Sequence, residues 1–451
     1  MKNMRELLIL FFILIFGANT AFAYDLVLPK EKKTVVNTNY ALFIGKAKTS
    51  EAITINDEKI YIASNGAFAH SVKLKNGENR ILIKSNYNTQ VYKITKILNS
   101  KDSDTTLFEF EPKLYRVKKD STPLRNTPID FGMNRLSHLF KDTNLIINGE
   151  KGDFYRVFLS KDKTAWIAKE SVEEFKKEFE APTFVTMNSK TFSNASSHVI
   201  EFTDKLPYTI EEINNEVLFK IYNPFYSEDS VYTITVKKPE KYFYSTKLHK
   251  GTYLFKLNHL PLTEKCNLEG YTITVDAGHG GSEKGALGCL GDKEKDINLK
   301  IAQELKEILN LMGANVIMTR DCDANVSLED RVKIAKDNSS EIIISIHLNS
   351  IPDIPMNIHK NRGTSVYYYN KNSKALAQVL EQNLTKTLGT RKDGVREASF
   401  AVIRPTDYIS ALIETAYMTN PNDTLIYTDK NFAEKTAKSI AESILEFVTY
   451  K

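Results

Sequence analysis

The sequence predicts a multidomain protein: a front half of all-β modules followed by a three-layer α/β domain. Three observations predict it. The chain has 451 residues, too many for one ordinary core. Between residues 24 and 262, short β-branched and aromatic runs are separated by turn residues at regular spacing. From Tyr271 onward, strand-like runs alternate with segments whose apolar residues recur at helical spacing.

Each element follows in order. Lys2 and Arg5 precede an apolar run, residues 7–16, and then Ala21-Phe22-Ala23, a small-x-small cleavage pattern. Residues 1–23 therefore read as a signal peptide removed before Tyr24, which places the protein outside the membrane, in the periplasm or the cell wall. The alternative, an uncleaved anchor, needs a span of ~20 residues, and this run is shorter. No cysteine follows it to carry a lipid, and no other segment is apolar enough to span. Residues 24–98 read as a β-sandwich, with strands at 41–47, 68–74 and 81–85 and a hairpin at 53–62 turning on Asn56-Asp57. A polar linker, 100–105, leads to a second β unit at 113–176. A third β-rich stretch covers 181–262, with strands at 198–202, 217–222 and 232–236. Residues 268–451 form the α/β part, with helices expected at 296–312, 327–337, 373–388 and 431–448.

Composition is that of ordinary globular protein, 42% hydrophobic and 26% charged. The net charge of +5 is uneven. From Cys266 onward 22 basic and 25 acidic residues give −3, leaving +8 for the rest. A basic front half suits an acidic polymer such as cell-wall glycan, with a lysine-rich solvated surface as the plainer reading. The charge is diffuse and the chain reads as exported, which argues against nucleic acid. Three cysteines, Cys266, Cys289 and Cys322, cannot make a complete disulfide framework. Cys289 lies between two candidate metal ligands; its plain reading is a loop thiol.

The chemistry concentrates after Tyr271. Ile273-Thr274-Val275-Asp276-Ala277 is a β-branched run ending in Gly278-His279-Gly280-Gly281. Residues 342–349 form a second such strand, delivering His347 and Asn349. Glu294 precedes a helical run, and residues 409–414 form a third strand that ends in Glu414. Side chains at the C-terminal ends of strands converge in the crevice of an open α/β sheet. Two histidines and a glutamate leave a zinc ion one open position for water, and a second glutamate can serve as base. The remaining six histidines are scattered and read as surface or packing residues.

These segments resemble one family. Asp276 to Gly281, Glu294-Lys295-Asp296-Ile297-Asn298-Leu299, Met318-Thr319-Arg320, Ser327-Leu328-Glu329-Asp330-Arg331, Ser345-Ile346-His347-Leu348-Asn349-Ser350 and Glu414-Thr415-Ala416-Tyr417-Met418-Thr419-Asn420 are similar to motifs of the zinc-dependent N-acetylmuramoyl-L-alanine amidases, in the same order. The resemblance covers Tyr271 to the C-terminus. It implies a peptidoglycan hydrolase that cuts between the MurNAc lactyl group and the L-Ala of the stem peptide. It implies Zn2+ held by His279, Glu294 and His347, with Glu414 as general base. For Glu414 the alternative is pairing with an arginine such as Arg404. Asn349 is expected either to bind substrate or to cap its strand. Arg320 and Arg331 read as structural ion-pair residues.

The front modules carry looser resemblances. Residues 24–98 are similar to bacterial immunoglobulin-like modules, 113–176 to an SH3-like barrel with Trp166 either lining a glycan or peptide groove or, more plainly, in the core or on the barrel face, and 181–262 to the AMIN-type sheets that precede some amidases. They are expected to serve targeting rather than chemistry. Two alternatives to the amidase are a zinc peptidase cutting within the stem peptide and a non-catalytic wall-binding protein; the intact His-Glu-His-Glu set argues against the latter. Some relatives carry a helical insertion that plugs the zinc site until a partner displaces it. Here the span from residue 363 to 404 leaves room for one helix, so activity without an activator protein is expected.

Overall fold

The computed structural model describes residues 24–86, 88–97, 106–176, 178–226, 230–264, 266–350 and 361–449. The expected signal peptide and the expected polar linker lie outside them. Among the described residues no helix is long and apolar enough to cross a membrane.

The first unit is two facing sheets. Strands Tyr24–Leu28, Tyr40–Ala47 and Ala67–Lys73 form one; Lys33–Val36, Thr89–Lys96, Gly77–Lys84, Thr54–Ile55 and Glu58–Lys59 form the other. Phe43, Phe68, Ile55, Ile81 and Ile83 fill the space between. Asn56 and Asp57 both take positive φ (48° and 68°), as a two-residue hairpin turn demands of residues that tolerate the left-handed region.

The second unit is a single seven-stranded sheet running from Phe108–Val117 to Val172–Glu174. Trp166 is half-buried on its outer face, between the inward-facing Ala165 and Ile167. The third unit pairs a four-stranded sheet, residues 184–259, with a three-stranded one, Tyr208–Ile213, Glu216–Tyr222 and Val231–Lys237. These two units share one hydrophobic cluster: Leu145, Ile147 and Val157 of the second pack in the same core as Phe219, Tyr253 and Phe255 of the third. The sequence presents them as separate modules; packing joins them.

The α/β part is built on six strands: β1 (Thr272–Ala277), β2 (Asn315–Met318), β3 (Ile342–Asn349), β4 (Thr364–Tyr368), β5 (Lys392–Glu397) and β6 (Ile409–Tyr417). Their spatial order is β2-β1-β3-β6-β4-β5. The first four in that order are parallel; β4 runs antiparallel to β6, and β5 parallel to β4. The helices are α1 (Glu294–Leu311), α2 (Leu328–Asp337), α3 (Lys374–Leu388), α4 (Pro421–Tyr427) and α5 (Phe432–Val448). The short α4 has no counterpart in the expected list. It starts on Pro421, with Asn420 capping the amides of Asn422 and Asp423.

The side-chain alternation of the strands divides the sheet. Ile273, Val275, Ile342, Ile344, Ile346, Ala411 and Ile413 point to one face and pack against α1, α3 and α5. Thr274, Asp276, Ser345, His347 and Glu414 point to the other, where Ile343 meets Ala335 of α2 and Val402. One face is therefore the core, and the other carries polar groups that need partners. Leu260 joins the core, and Thr263 N donates to Val448 O, which ties the incoming chain to this domain.

Candidate active site

The polar face is organised from Asp276 outward. This carboxylate is fully buried. It accepts from Arg331 Nη1 (2.6 Å), Thr319 Oγ1 (2.7 Å) and Ser345 Oγ (2.6 Å). Burial alone would push its carboxyl up; the Arg331 charge and these donors outweigh that and hold it below the usual range. Arg331 also donates to Ala277 O and His279 O, each at 2.7 Å. Arg320 donates to Ala277 O (2.9 Å), Gly278 O (2.9 Å) and Lys295 O (2.8 Å). Two guanidiniums thus clamp the carbonyls of the turn after β1; Arg331 is ion-paired with Asp276 as expected, whereas the contacts of Arg320 are to backbone carbonyls rather than to a carboxylate.

That turn holds His279 at φ 60°, a left-handed conformation uncommon outside glycine. The backbone around the histidine is also closely packed. A Cβ on Gly278 would land in the ring of His347, and one on Gly285 would strike Glu294 Oε2 and the ring of His279. Only glycine lets the backbone pass that close.

Four expected residues come together. His279 Nε2 lies 3.1 Å from Glu294 Oε2, and His347 Nδ1 lies 2.9 Å from Glu294 Oε1. The two imidazoles meet edge to face, with centroids 5.0 Å apart. One ligand atom from each of His279, Glu294 and His347 falls within 4.8 Å of the others. Glu294 is the first residue of α1, where its charge also suits the helix N-terminus. It accepts from Ala286 N (2.8 Å), Leu348 N (3.1 Å) and Asn298 Nδ2 (3.3 Å). Burial opposes its ionisation, yet the hydrogen bonds and charges of the two histidines hold its carboxyl far below the usual range.

Glu414 is the register partner of His347 across β3 and β6, and of Ser365 across β6 and β4. The β3–β6 pairing shifts just after this position, so that Asn349 faces Tyr417; such irregularities re-aim side chains beside active sites. Glu414 Oε2 is sealed from solvent without a hydrogen-bond partner. Burial, and then the charge of Glu294, raise its carboxyl well above the usual range. The alternative pairing with Arg404 is not formed: Arg404 donates to Ser399 Oγ and Ser399 O, each at 2.9 Å. A half-buried carboxylate whose one oxygen is sealed and idle is costly unless something polar meets it.

Asn349 ends β3, and its Oδ1 accepts from Ser350 N at 2.8 Å, the strand-capping arrangement. Cys289 stays out of the cluster. It is fully buried with Sγ 3.7 Å from Met418 O, and burial pushes its thiol up to about 12. All three cysteines are free. One contributor escaped the sequence reading: Asn298, which bonds both Glu294 Oε1 and Gly278 O. The signal was available, since a residue four positions after Glu294 shares its helix face.

Comparisons with known proteins agree on this region. A family model for N-acetylmuramoyl-L-alanine amidase matches residues 273–446. The uncharacterized protein YqiI of Bacillus subtilis is 35% identical over 181 residues, covering 39% of this chain and 84% of that protein. The probable cell wall amidase LytH of Staphylococcus saprophyticus is 36% identical over 189 residues, 42% of this chain and 60% of LytH. The N-acetylmuramoyl-L-alanine amidase LytC of Bacillus subtilis is 35% identical over 182 residues, 40% of this chain and 36% of LytC. The match thus spans under two thirds of LytH and of LytC and leaves the β modules of this chain uncovered. On residues 273–446 the chain belongs to the N-acetylmuramoyl-L-alanine amidase family of enzymes.

Proposed function

We propose that the protein hydrolyses peptidoglycan at the amide joining the MurNAc lactyl group to L-Ala. The observation that carries this reading is the cluster itself: two imidazoles and an ionised carboxylate within ligand distance of one another, with a carboxylate of idle Oε2 in register beside one of them. Imidazole nitrogen and carboxylate oxygen are the donors zinc takes in catalytic sites, and the cleared space at Gly278 and Gly285 lets all three side chains converge. His279, Glu294 and His347 would hold Zn2+. When bound, zinc supplies Lewis acidity, polarising a carbonyl and making water acidic near pH ~7.

Glu414 does the proton work. Its carboxylate takes the proton of the attacking water as the new C–O bond forms, and then returns it to the nitrogen of the leaving L-Ala as the acyl C–N bond breaks. In the metal-free protein burial and the Glu294 charge raise its carboxyl; a bound cation would offset part of that rise, leaving a group that can take a proton as base and return it as acid. Asn349, two residues past His347, is proposed to offer its amide N–H groups to substrate. The front modules are proposed as immunoglobulin-like, SH3-like and AMIN-like units that hold the wall. Residues 1–23 are proposed to export the chain. Activity without an activator protein is part of the same reading, since β4 and β6 are joined by α3, β5 and short turns.

The test is mass spectrometry of peptidoglycan digested by the purified zinc-loaded protein. Free stem peptides starting at L-Ala beside unsubstituted glycan are expected. Cuts inside the stem peptide would replace this reading with a peptidase.

A further inference from the structure

The outer face of a β-sandwich normally meets water, and its strands then alternate apolar-in, polar-out. One sheet of the first unit departs from this. In Tyr40–Ala47, Phe43 faces the sandwich interior, yet the outward Ile44 is also 0% exposed. In Ala67–Lys73, Phe68 faces inward, while the outward Ala67 and Ala69 are equally buried. What covers them is the amidase domain: Ile44, Ala63, Ala67 and Ala69 form one apolar cluster with Cys289, and Leu290 packs against it. A second contact lies alongside, where Tyr61 OH donates to Asn422 Oδ1 of α4 at 3.1 Å.

Cys289 and Leu290 are not on an arbitrary loop. They are the tip of a small hairpin, residues 286–293, between His279 and Glu294. Leu287 and Lys293 pair across it, Gly288 N donates to Asp292 O, and Gly291 N donates to Gly288 O. At its base Glu294 N donates to Ala286 O, and Ala286 N donates back to Glu294 Oε2 at 2.8 Å. The tip is therefore seated in the first unit, and the base grips the carboxylate that the two histidines face. Met418 O, just past β6, also receives the backbone amide of Cys289 at 3.3 Å.

We propose that the N-terminal sandwich, residues 24–97, is a positioning element of the divalent-cation site. Docked on Cys289 and Leu290, it fixes the 286–293 hairpin and so holds Glu294 in the orientation that ligates a metal. The hairpin is short and glycine-rich, with Gly288 and Gly291 in it and Gly285 at its foot. Released from the sandwich, it would expose Cys289 and Leu290 to water and gain conformational freedom, and Glu294 Oε2 would lose a fixed partner. The inference builds on the metal role proposed above and gives the first unit a part in chemistry, beyond the targeting role expected of the front half.

The experiment uses the full chain. Ala69→Glu places a charge on the buried outer face of the sandwich; Leu290→Asp attacks the contact from the other side; Ala69→Ser is the conservative control. Zinc affinity is measured by chelator competition, and hydrogen exchange is followed across residues 285–294. Both charged variants are expected to bind zinc about 10-fold more weakly, in line with lost outer-shell support. They should exchange faster at 285–294, and recover kcat at saturating zinc with KM unchanged. Ala69→Ser should behave as wild type. A general folding defect would speed exchange throughout the 273–446 domain rather than at 285–294 and the docked face alone, because zinc binding also stabilises any destabilised fold by mass action; Leu290→Asp keeps the test alive if Ala69→Glu fails to fold. Unchanged zinc affinity and unchanged exchange at 285–294, in a variant whose residues 61–69 have become exchange-labile, would overturn the proposal. A wild-type protein that binds no zinc would instead overturn the metal reading beneath it.

Discussion

The start of α1 and the interior of β6 each bring one glutamate to the same crevice, and the two are opposites. Glu294 is saturated: both oxygens face a histidine and accept backbone or side-chain amides, and its carboxyl is held far below the usual range. Glu414 has an oxygen with no partner, and its carboxyl is held above that range. The chemistry of the residue is the same; the surroundings differ. A carboxylate ringed by donors and next to imidazoles is built to stay charged and still, as a ligand must. A carboxylate with a sealed, unpartnered oxygen beside another negative charge suits the proton exchange proposed for Glu414.

Swapping each for its amide tests the contrast directly. Glu414→Gln should cut turnover by roughly 10²–10⁴-fold, the range for removing a general base, while zinc content by elemental analysis stays at wild-type level. Near-normal muropeptide release by that variant would break the assignment. Glu294→Gln should do the reverse and fail at the metal, weakening zinc beyond the ~10–100-fold that follows loss of an outer-shell partner. Retained zinc affinity there would show that the carboxylate is not a ligand.

Asn298→Ala probes the support beneath Glu294. Its amide bonds Glu294 Oε1 and Gly278 O, so its loss should weaken zinc by about 10-fold in chelator competition, with kcat at saturating zinc unchanged. The smallest effect concerns pH. In the metal-free protein Glu414 keeps its proton above the ~4.3 at which an unfolded glutamate loses it. The unfolded chain therefore releases that proton first as pH rises, and wild-type stability declines from that point up through the raised folded value. Glu414→Gln has no proton to release. Its Tm, compared with wild type by calorimetry from pH 4 to 8, should fall behind less or pull ahead as pH rises. Parallel curves would show that Glu414 is not strained by burial.

Much of the site was legible because its histidines sit at or near the ends of strands. A β-branched run that stops at a polar group leaves that group at the mouth of a sheet, and His279 and His347 follow this pattern; Glu414, expected to end its strand, lies within β6, which continues to Tyr417. Glu294 was legible only through its neighbours in the Glu294-to-Leu299 run, since a glutamate opening a helix is ordinary. What stayed hidden depends on partners far apart in the chain. The common core of the second and third units needs Val157 to meet Phe219 and Tyr253, and nothing local marks that meeting. The seat of Cys289 was half visible: residues 41–47 are apolar on both faces, which already implies that both are covered. The cover itself, a hairpin some 240 residues later, leaves no local trace. Cys289 instead drew attention as a possible ligand, because sequence position placed it between His279 and Glu294 while packing turned it away.

The mixed direction of the sheet bears on the timing of order at the site. Glu414 sits on a strand with a parallel neighbour on one side and an antiparallel neighbour on the other, so its backbone is fixed from both flanks. A base on a free loop must surrender backbone and rotamer freedom each time substrate arrives. Here the backbone share of that entropy is given up once, when the chain folds, and the base proposed for Glu414 would start each cycle on a backbone already in place.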